Sequence, residues 1–535
     1  MNHSACVLSR TAYGLETHLV HVECHLSGGL PGTTIVGLAE GAVREARDRV
    51  KSAIRSSGFS YPVGHITINL APSHLSKSGS GFDLPIAIAI LAASDQLPSD
   101  ALEQTEFIGE LGLFGELRKA HNVLTSAASC YQRGHRLFLP QANGHEVRLI
   151  ASDTFWTAAS LLEVAEMLCG KRQKPPALVR AIEAGDEKHR QTFEQIIGQY
   201  LAKRALTIAA AGGHHMLMIG PPGTGKTMLA QCLAGLLPDL DQQRVLEVAT
   251  VYSAYGSERK HYRRPPLRSP HHSISPAAMG GGGQTPTPDE ISLSHCGVLF
   301  LDELPHFKPS ALDLLREPIE TGEIAIARAS YRTSFPCRFQ LIAAMNPCPA
   351  GRTCKEHTCR CTSSQVQRYQ SRVSGTLLDR IDLHVPVPEL DQRTMLNLEE
   401  EKPEDSGGMS WEEARQTIVR AQERQTARQG CLNAHMHTQD LIRRMQQADL
   451  DTSCLTRNTE HFELSMRNYH KLWRIALTLA DLAWVGENKE LTEFNGSSDE
   501  LHVKESHLLE ALSFRAMQWS GRYATITWSS FFRTG

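Results

Sequence analysis

The chain has 535 residues, 41% of them hydrophobic and 21% charged, and a formal net charge of −3. That length exceeds a single ordinary hydrophobic core and points to roughly three or four domains, with the composition of a globular rather than a disordered protein. The near-neutral balance excludes a global polyanion-binding signature, so any nucleic-acid contact must come from local patches.

In chain order, the N-terminal "MNHSACVLSR" lacks a basic region followed by a long apolar core, so no secretory signal is expected. "HLVHVECHLSG" and "GHITINLAP" alternate as strands do. "AEGAVREARDRVKSAIRSSGF" carries a helical stripe at Val43, Ala46, Val50 and Ile54, stopped by Gly58. That face reads as core rather than as a cofactor box. The longest apolar run, "LPIAIAILAA" at 84–93, is too short to span a bilayer and carries a proline. "GKRQKPP" at 170–176 reads as a linker. His214 and His215 precede the next strand and read as packing residues. With thirteen cysteines, an odd number, and no secretory signal, a reduced cytoplasmic location is the expectation.

From about residue 190 the pattern becomes strand, glycine loop, helix. "HMLMIG" leads into "GPPGTGKT", Gly220 to Thr227 (Gly220, Pro221, Pro222, Gly223, Thr224, Gly225, Lys226, Thr227), and then "MLAQCLAGLLP". This fits the phosphate-loop pattern, whose glycines let backbone N–H groups turn toward phosphate oxygens. Lys226 supplies a point charge to the β- and γ-phosphates, and Thr227 a hydroxyl ligand for Mg²⁺. "GVLFLDE" is a buried strand ending in Asp302, suited to the Mg²⁺ shell, and Glu303, suited to orienting the attacking water. Asn346 closes the apolar strand "FQLIAAMN"; it either reaches the γ-phosphate or simply ends the strand. Arg380 in "LLDRIDL" is either an arginine finger or half of a surface ion pair. Arg467 follows Ser465, a helix cap, and either reaches phosphate or is solvated.

"ERKHYRRPPLRSPHH", 258–272, holds five fixed cations, Arg259, Lys260, Arg263, Arg264 and Arg268, against the single acid Glu258. With Tyr262 available for stacking, the loop suits a nucleic-acid backbone; a solvated or inward-packed basic loop is the plain alternative. Cys348, Cys354, Cys359 and Cys361 crowd fourteen positions, a spacing closer to a structural zinc site than to a disulfide staple. His357 could replace one thiol. Residues 391–409 are acidic and polar, a second linker, and helical segments follow at 410–429 and 463–484.

Taken together and in order, these residues resemble the magnesium-chelatase group of AAA+ ATPases, and within it the ComM/YifB family. The resemblance rests on "GLPGTTIVGLAEGAVREARDRVKSAI", "NLAPSHLSKSGSGFDLPIAIAILAA", "RPPLRSPHHSISPAAMGGG", "EISLSHCGVLFLDELPHF", "AAMNPCP", "SGTLLDRIDLHVPVP" and "LSMRNYHKLWRIALTLADL". It implies an α/β fold: an AAA+ P-loop core with an α-helical lid, preceded by an α+β Lon-protease-like (S5-type) N-terminal domain. The implied division is 1–168 for the Lon-like domain, 169–189 linker, 190–390 ATPase core, 391–409 linker and 410–535 lid. It further implies Asn346 as sensor 1, Arg380 as arginine finger, Arg467 as sensor 2, ATP and Mg²⁺ as cofactors, and a homo-hexamer. The implied partner is DNA, single-stranded and branched, and the implied activity a branch-migration helicase promoting homologous recombination during natural transformation. The alternatives are a chelatase-type ATPase remodelling a protein partner, and a Lon-like unfoldase or protease. Lon chemistry needs a serine–lysine pair. Aligned through Lys77 and Gly79 in "SKSGSGFDLPIA", the serine position falls on Gly81. Three departures stand out: Asp289 where glycine is expected, Ala350 where relatives carry another cysteine, and an unmatched insert, "VGENKELTEFNGSSDE", and tail after Met517.

Overall fold

The computed structural model describes residues 4–38, 41–75, 77, 79, 81–150, 152–173, 193–194, 196, 198–281, 287–328, 331–351, 361–389, 410–448, 465–488 and 502–515. Most of the unmatched insert and all of the tail lie outside them, as do Cys354, His357 and Cys359.

Two large sheets organise the described residues, beside the two-stranded pairs Glu110–Leu111 with Leu117–Arg118 and Glu323–Arg328 with Tyr331–Pro336. The first has seven strands in the spatial order Gly32–Val36, His65–Ala71, Glu16–Ser27, Ser4–Tyr13, Thr105–Phe107, Arg136–Pro140 and Phe155–Ala158. Its long antiparallel pair turns at Gly14, whose φ of +60° favours glycine. Alternation works as expected: Val20, Val22 and Cys24 point inward, as do Ile66, Ile68 and Leu70. The predicted stripe of Val43, Ala46, Val50 and Ile54 is fully buried on helix Gly41–Ser56. The apolar run forms helix Asp83–Ala93, and every one of its residues is buried. A helix apolar all round belongs in the middle of a core. Its one charge, Asp83, is met by Arg49 at 2.8 Å.

The second sheet is parallel throughout, ordered Leu267–Arg268, Val298–Leu301, Gln340–Met345, Met216–Ile219 and Leu383–Pro386. Its three central strands are buried along their whole length, which is why they read as unbroken apolar runs. Helices Tyr200–Gly212, Lys226–Leu236 and Gln242–Tyr255 accompany it. His214 and His215 are buried, as read from sequence: His214 Nε2 lies 2.8 Å from the Thr478 hydroxyl, and His215 Nδ1 accepts the Leu341 N–H at 2.9 Å.

Helices Trp411–Gln429, Thr438–Gln447, Met466–Glu487 and Glu505–Ser513 complete the described chain. Their polar centre is Asp481, fully buried and held by Arg424 at 3.0 Å and Arg428 at 2.7 Å. Removing Asp481 would take the carboxylate from two buried guanidiniums, and breaking a buried pair in this way typically costs about 3–5 kcal/mol. Lys471 joins this helical layer to the sheet through Asp382 at 2.8 Å. The first sheet region packs on the second through helices Val123–Gln132 and Gln242–Tyr255, with Gln242 Nε2 donating to the Leu149 carbonyl at 2.7 Å.

Candidate nucleotide-hydrolysis site

The glycine loop leaves the strand Met216–Ile219 and opens helix Lys226–Leu236, so it sits at the C-terminal edge of the parallel sheet. Gly223 and Gly225 have φ of +86° and +85°, a conformation that side chains resist. Gly220 is forced by contact instead: a Cβ there would fall 2.0 Å from the Val387 carbonyl oxygen. The helix's first turn leaves backbone N–H groups without intrahelical acceptors, and its dipole favours an anion.

Lys226 is buried, and its amine donates to the carbonyls of Gly220 at 2.8 Å and Pro221 at 2.7 Å, with Asn346 Oδ1 at 3.4 Å. Burial pushes the Lys226 pKa down, and the Asp302 carboxylate opposes the shift. Asn346 therefore lies beside the loop rather than merely ending a strand. Thr227 Oγ1 donates to Asp302 Oδ2 at 2.9 Å. A hydroxyl and a carboxylate at hydrogen-bond distance fit a hard divalent cation that takes oxygen ligands. The backbone at Glu303 turns left-handed, φ +53°, and its N–H donates to Asp302 Oδ1 at 2.9 Å. The Glu303 carboxylate faces His272, with Nδ1 3.2 Å from Oε2.

Arg380 and Arg467 meet at one carboxylate that sequence reading did not single out. Arg380 Nη2 lies 2.9 Å from Glu320 Oε1, and Arg467 pairs with the same oxygen. Arg380 Nη1 also donates to the Thr376 carbonyl at 2.7 Å, while its Nε is buried without a hydrogen-bond partner among the described residues. Ser465 caps the helix that carries Arg467, as its position foretold. Glu320 sits at the end of helix Arg316–Thr321, far from both arginines in sequence, and no spacing motif marks it.

The basic loop divides in two. Arg259 is turned inward, its guanidinium 5.3 Å from the Tyr252 ring centre, and burial lowers its pKa. Arg268 is bound to Glu290 at Nε–Oε2 2.7 Å. Tyr262 is half-buried, packed against a buried apolar cluster, and its hydroxyl accepts the Arg259 N–H at 3.3 Å, so the ring is not the open stacking platform expected. Lys260 and Arg263 are exposed; Arg264 is half-buried. Together with Arg415 of the helical layer, Arg259, Lys260, Arg264 and Arg268 line a cavity of about 430 Å³. Glu258 anchors the loop's start to Lys119 and to His145 of the first sheet region.

Of the cysteine cluster, Cys348 is buried against Val366, with Cys361 packed alongside. Cys354 and Cys359 lie outside the described residues. Lys77 is buried and its amine donates to the Pro72 carbonyl.

Three family models match the chain: "Magnesium chelatase, subunit ChlI" over residues 192–395, "Subunit ChlI of Mg-chelatase" over 22–143, and "Magnesium chelatase, subunit ChlI C-terminal" over 408–492. Competence protein ComM of Haemophilus influenzae is 42% identical over 518 residues, covering 96% of this chain and 97% of that protein. The protein YifB of Escherichia coli is 43% identical over 522 residues, with 96% and 97% covered. A short stretch of 54 residues is 47% identical to the archaeal Lon protease of Pyrococcus abyssi, covering 10% of this chain and 5% of that one. Among the described residues no helix is long and apolar enough to cross a membrane. With relatives matched over nearly their whole length, the chain belongs to the ComM/YifB family of magnesium-chelatase-like AAA+ proteins.

Proposed function

We propose that this chain is an ATP-hydrolysing ring motor that acts on DNA, and that it drives branch migration promoting homologous recombination during natural transformation. The observation that carries the ATPase reading is the gathering of Lys226, Thr227, Asp302 and Asn346 around one phosphate loop at the sheet edge, with Glu303 next to Asp302. Support for DNA comes from the relative named a competence protein and from the exposed cations Lys260 and Arg263.

Lys226 exchanges its bonds to the loop carbonyls for the β- and γ-phosphate oxygens of ATP. Thr227 and Asp302 hold Mg²⁺, which when bound neutralises charge on those phosphates. Glu303 orients the attacking water and takes its proton, and Asn346 contacts the γ-phosphate or that water. Arg380 of one subunit reaches the neighbour's ATP within a hexamer, and Arg467 contacts phosphate from the helical layer; in both, phosphate takes the place of Glu320. The division into a Lon-like region at 1–168, an ATPase core at 190–390 and a helical lid at 410–535 belongs to the same reading, as does a cytoplasmic location. Proteolysis is disfavoured because Gly81 offers no nucleophile and the Lys77 amine is engaged by a carbonyl.

The test is ATP hydrolysis with and without single-stranded and branched DNA, at two salt concentrations. Stimulation that weakens at high salt is expected. Neither stimulation nor binding would remove the DNA reading and favour remodelling of a protein partner.

A further inference from the structure

We propose that His272, Glu303 and His306 form a binding site for a divalent transition-metal ion of the zinc class, and that occupancy withdraws Glu303 from hydrolysis. The second half rests on the role proposed above for Glu303; the first does not.

Each of the three residues offers one ligand atom, and these atoms all lie within 4.8 Å of one another. His272 Nδ1 and Glu303 Oε2 are 3.2 Å apart. Two ligands on a tetrahedral zinc ion at about 2.0–2.1 Å sit about 3.4 Å from each other, so this pair is spaced to share an ion. The fold brings the three together: His272 follows the strand Leu267–Arg268, and Glu303 follows the neighbouring parallel strand Val298–Leu301. His306 ends the 3-10 turn Leu304–His306 directly after Glu303. The rings are held in place. The His272 ring centre lies 4.1 Å from that of His271, 5.7 Å from His306 and 6.5 Å from Phe307. The His306 ring in turn meets Tyr369 edge-on at 6.0 Å. Glu303 and His306 are exposed, which leaves room for ion access and for water as a fourth ligand.

Two imidazoles and one carboxylate select a borderline ion over Mg²⁺, which prefers the all-oxygen pair Thr227 and Asp302. The two cation sites are thus chemically distinct although Asp302 and Glu303 are adjacent. A second cluster, Glu247, His295 and Cys296, shows what a non-site looks like. There His295 Nδ1 accepts the Arg338 N–H at 3.1 Å, which fixes the proton on Nε2, facing Glu247 at 3.1 Å. A metal on that nitrogen would force a proton onto Nδ1 against a backbone donor.

The experiment is titration of the full chain, without nucleotide, by Co²⁺ followed in the visible region. One saturable band is expected, weakened about tenfold or more in His272→Ala and in His306→Ala. His306→Gln, with circular dichroism and nucleotide binding as folding controls, guards against loss of structure. Cobalt held by Cys348, Cys354, Cys359 or Cys361 would add a thiolate charge-transfer band in the near ultraviolet that these variants leave unchanged. No visible band, or a band equal in parent and His variants, overturns the site. In a second arm, Zn²⁺ should lower kcat for ATP with little change in KM. Each His variant, compared with its own zinc-free rate, should need about tenfold more Zn²⁺. A cobalt band without zinc inhibition overturns the withdrawal of Glu303. Glu303→Gln separates the two readings: parent-level hydrolysis refutes its catalytic role while the cobalt result still judges the site.

Discussion

The phosphate loop, 220–227, and the basic loop, 258–272, are both short, punctuated by glycine or proline, and both look like anion sites in sequence. They part in three dimensions. In the phosphate loop the binding groups are largely backbone N–H groups, aimed by Gly223, Gly225 and the helix that starts at Lys226. Their direction follows from local conformation and needs no distant partner. In the basic loop the binding groups are long side chains, and each can be claimed by whatever lies nearby. Tyr252 takes Arg259 and Glu290 takes Arg268, leaving Lys260 and Arg263 exposed. Backbone geometry is therefore the safer guide to function, and side-chain charge the weaker one.

Four measurements can break or sharpen this contrast. The largest effect is expected for Lys226→Ala, which should abolish turnover and ATP binding; retained activity would overturn the site. Arg380→Ala should lower the rate in the assembled ring by roughly 10³ or more while ATP still binds, since such fingers contribute about 10³–10⁵. An unchanged rate would leave Arg380 as half of an ion pair with Glu320.

The third measurement separates the two kinds of arginine in the basic loop. Arg263→Ala should reduce the salt dependence of DNA binding by a slope of about one phosphate contact. Arg259→Ala should instead lower stability, by about 0.5–2 kcal/mol for the lost contact with Tyr252, and leave that slope alone. Thermal unfolding and salt-series binding on the same two proteins decide it, and exchanged outcomes would refute the division.

The smallest and most diffuse effect is on stability against pH. Burial holds His215 down to about 4 and His384 to about 3, below the ordinary value of 6.5. A pKa depressed in the folded state means the unfolded chain takes up protons first as pH falls. The stability these groups provide is thus complete above pH 6.5 and is lost progressively toward pH 3–4. Melting temperature should fall through that window, and less steeply in His384→Gln.

Several features were legible because neighbours in sequence create them. The strands at 216–219, 298–301 and 340–345, the glycine loop and the Ser465 cap each announce themselves through period, apolar content or capping chemistry. The run at 84–93 could be excluded as a membrane span, yet only packing showed it to be a helix buried on every side. Nothing local marks Glu320, because its meaning lies in two arginines 60 and 147 positions away. His272 likewise gains interest only when two parallel strands bring it to Glu303 and to His306, three residues further on.

The sequence by itself determined the nucleotide loop, the acidic strand end and the family, since short-range backbone preference and apolar runs write those features directly. Tertiary structure alone decided which arginines are spent on protein contacts, which carboxylate holds Arg380 and Arg467, and which histidines face Glu303. Most of those outcomes depend on charged side chains distant in the chain, as Glu320 is from Arg380 and Arg467 and His272 from Glu303, and their close approach is set by the packing of the fold rather than by any local signal.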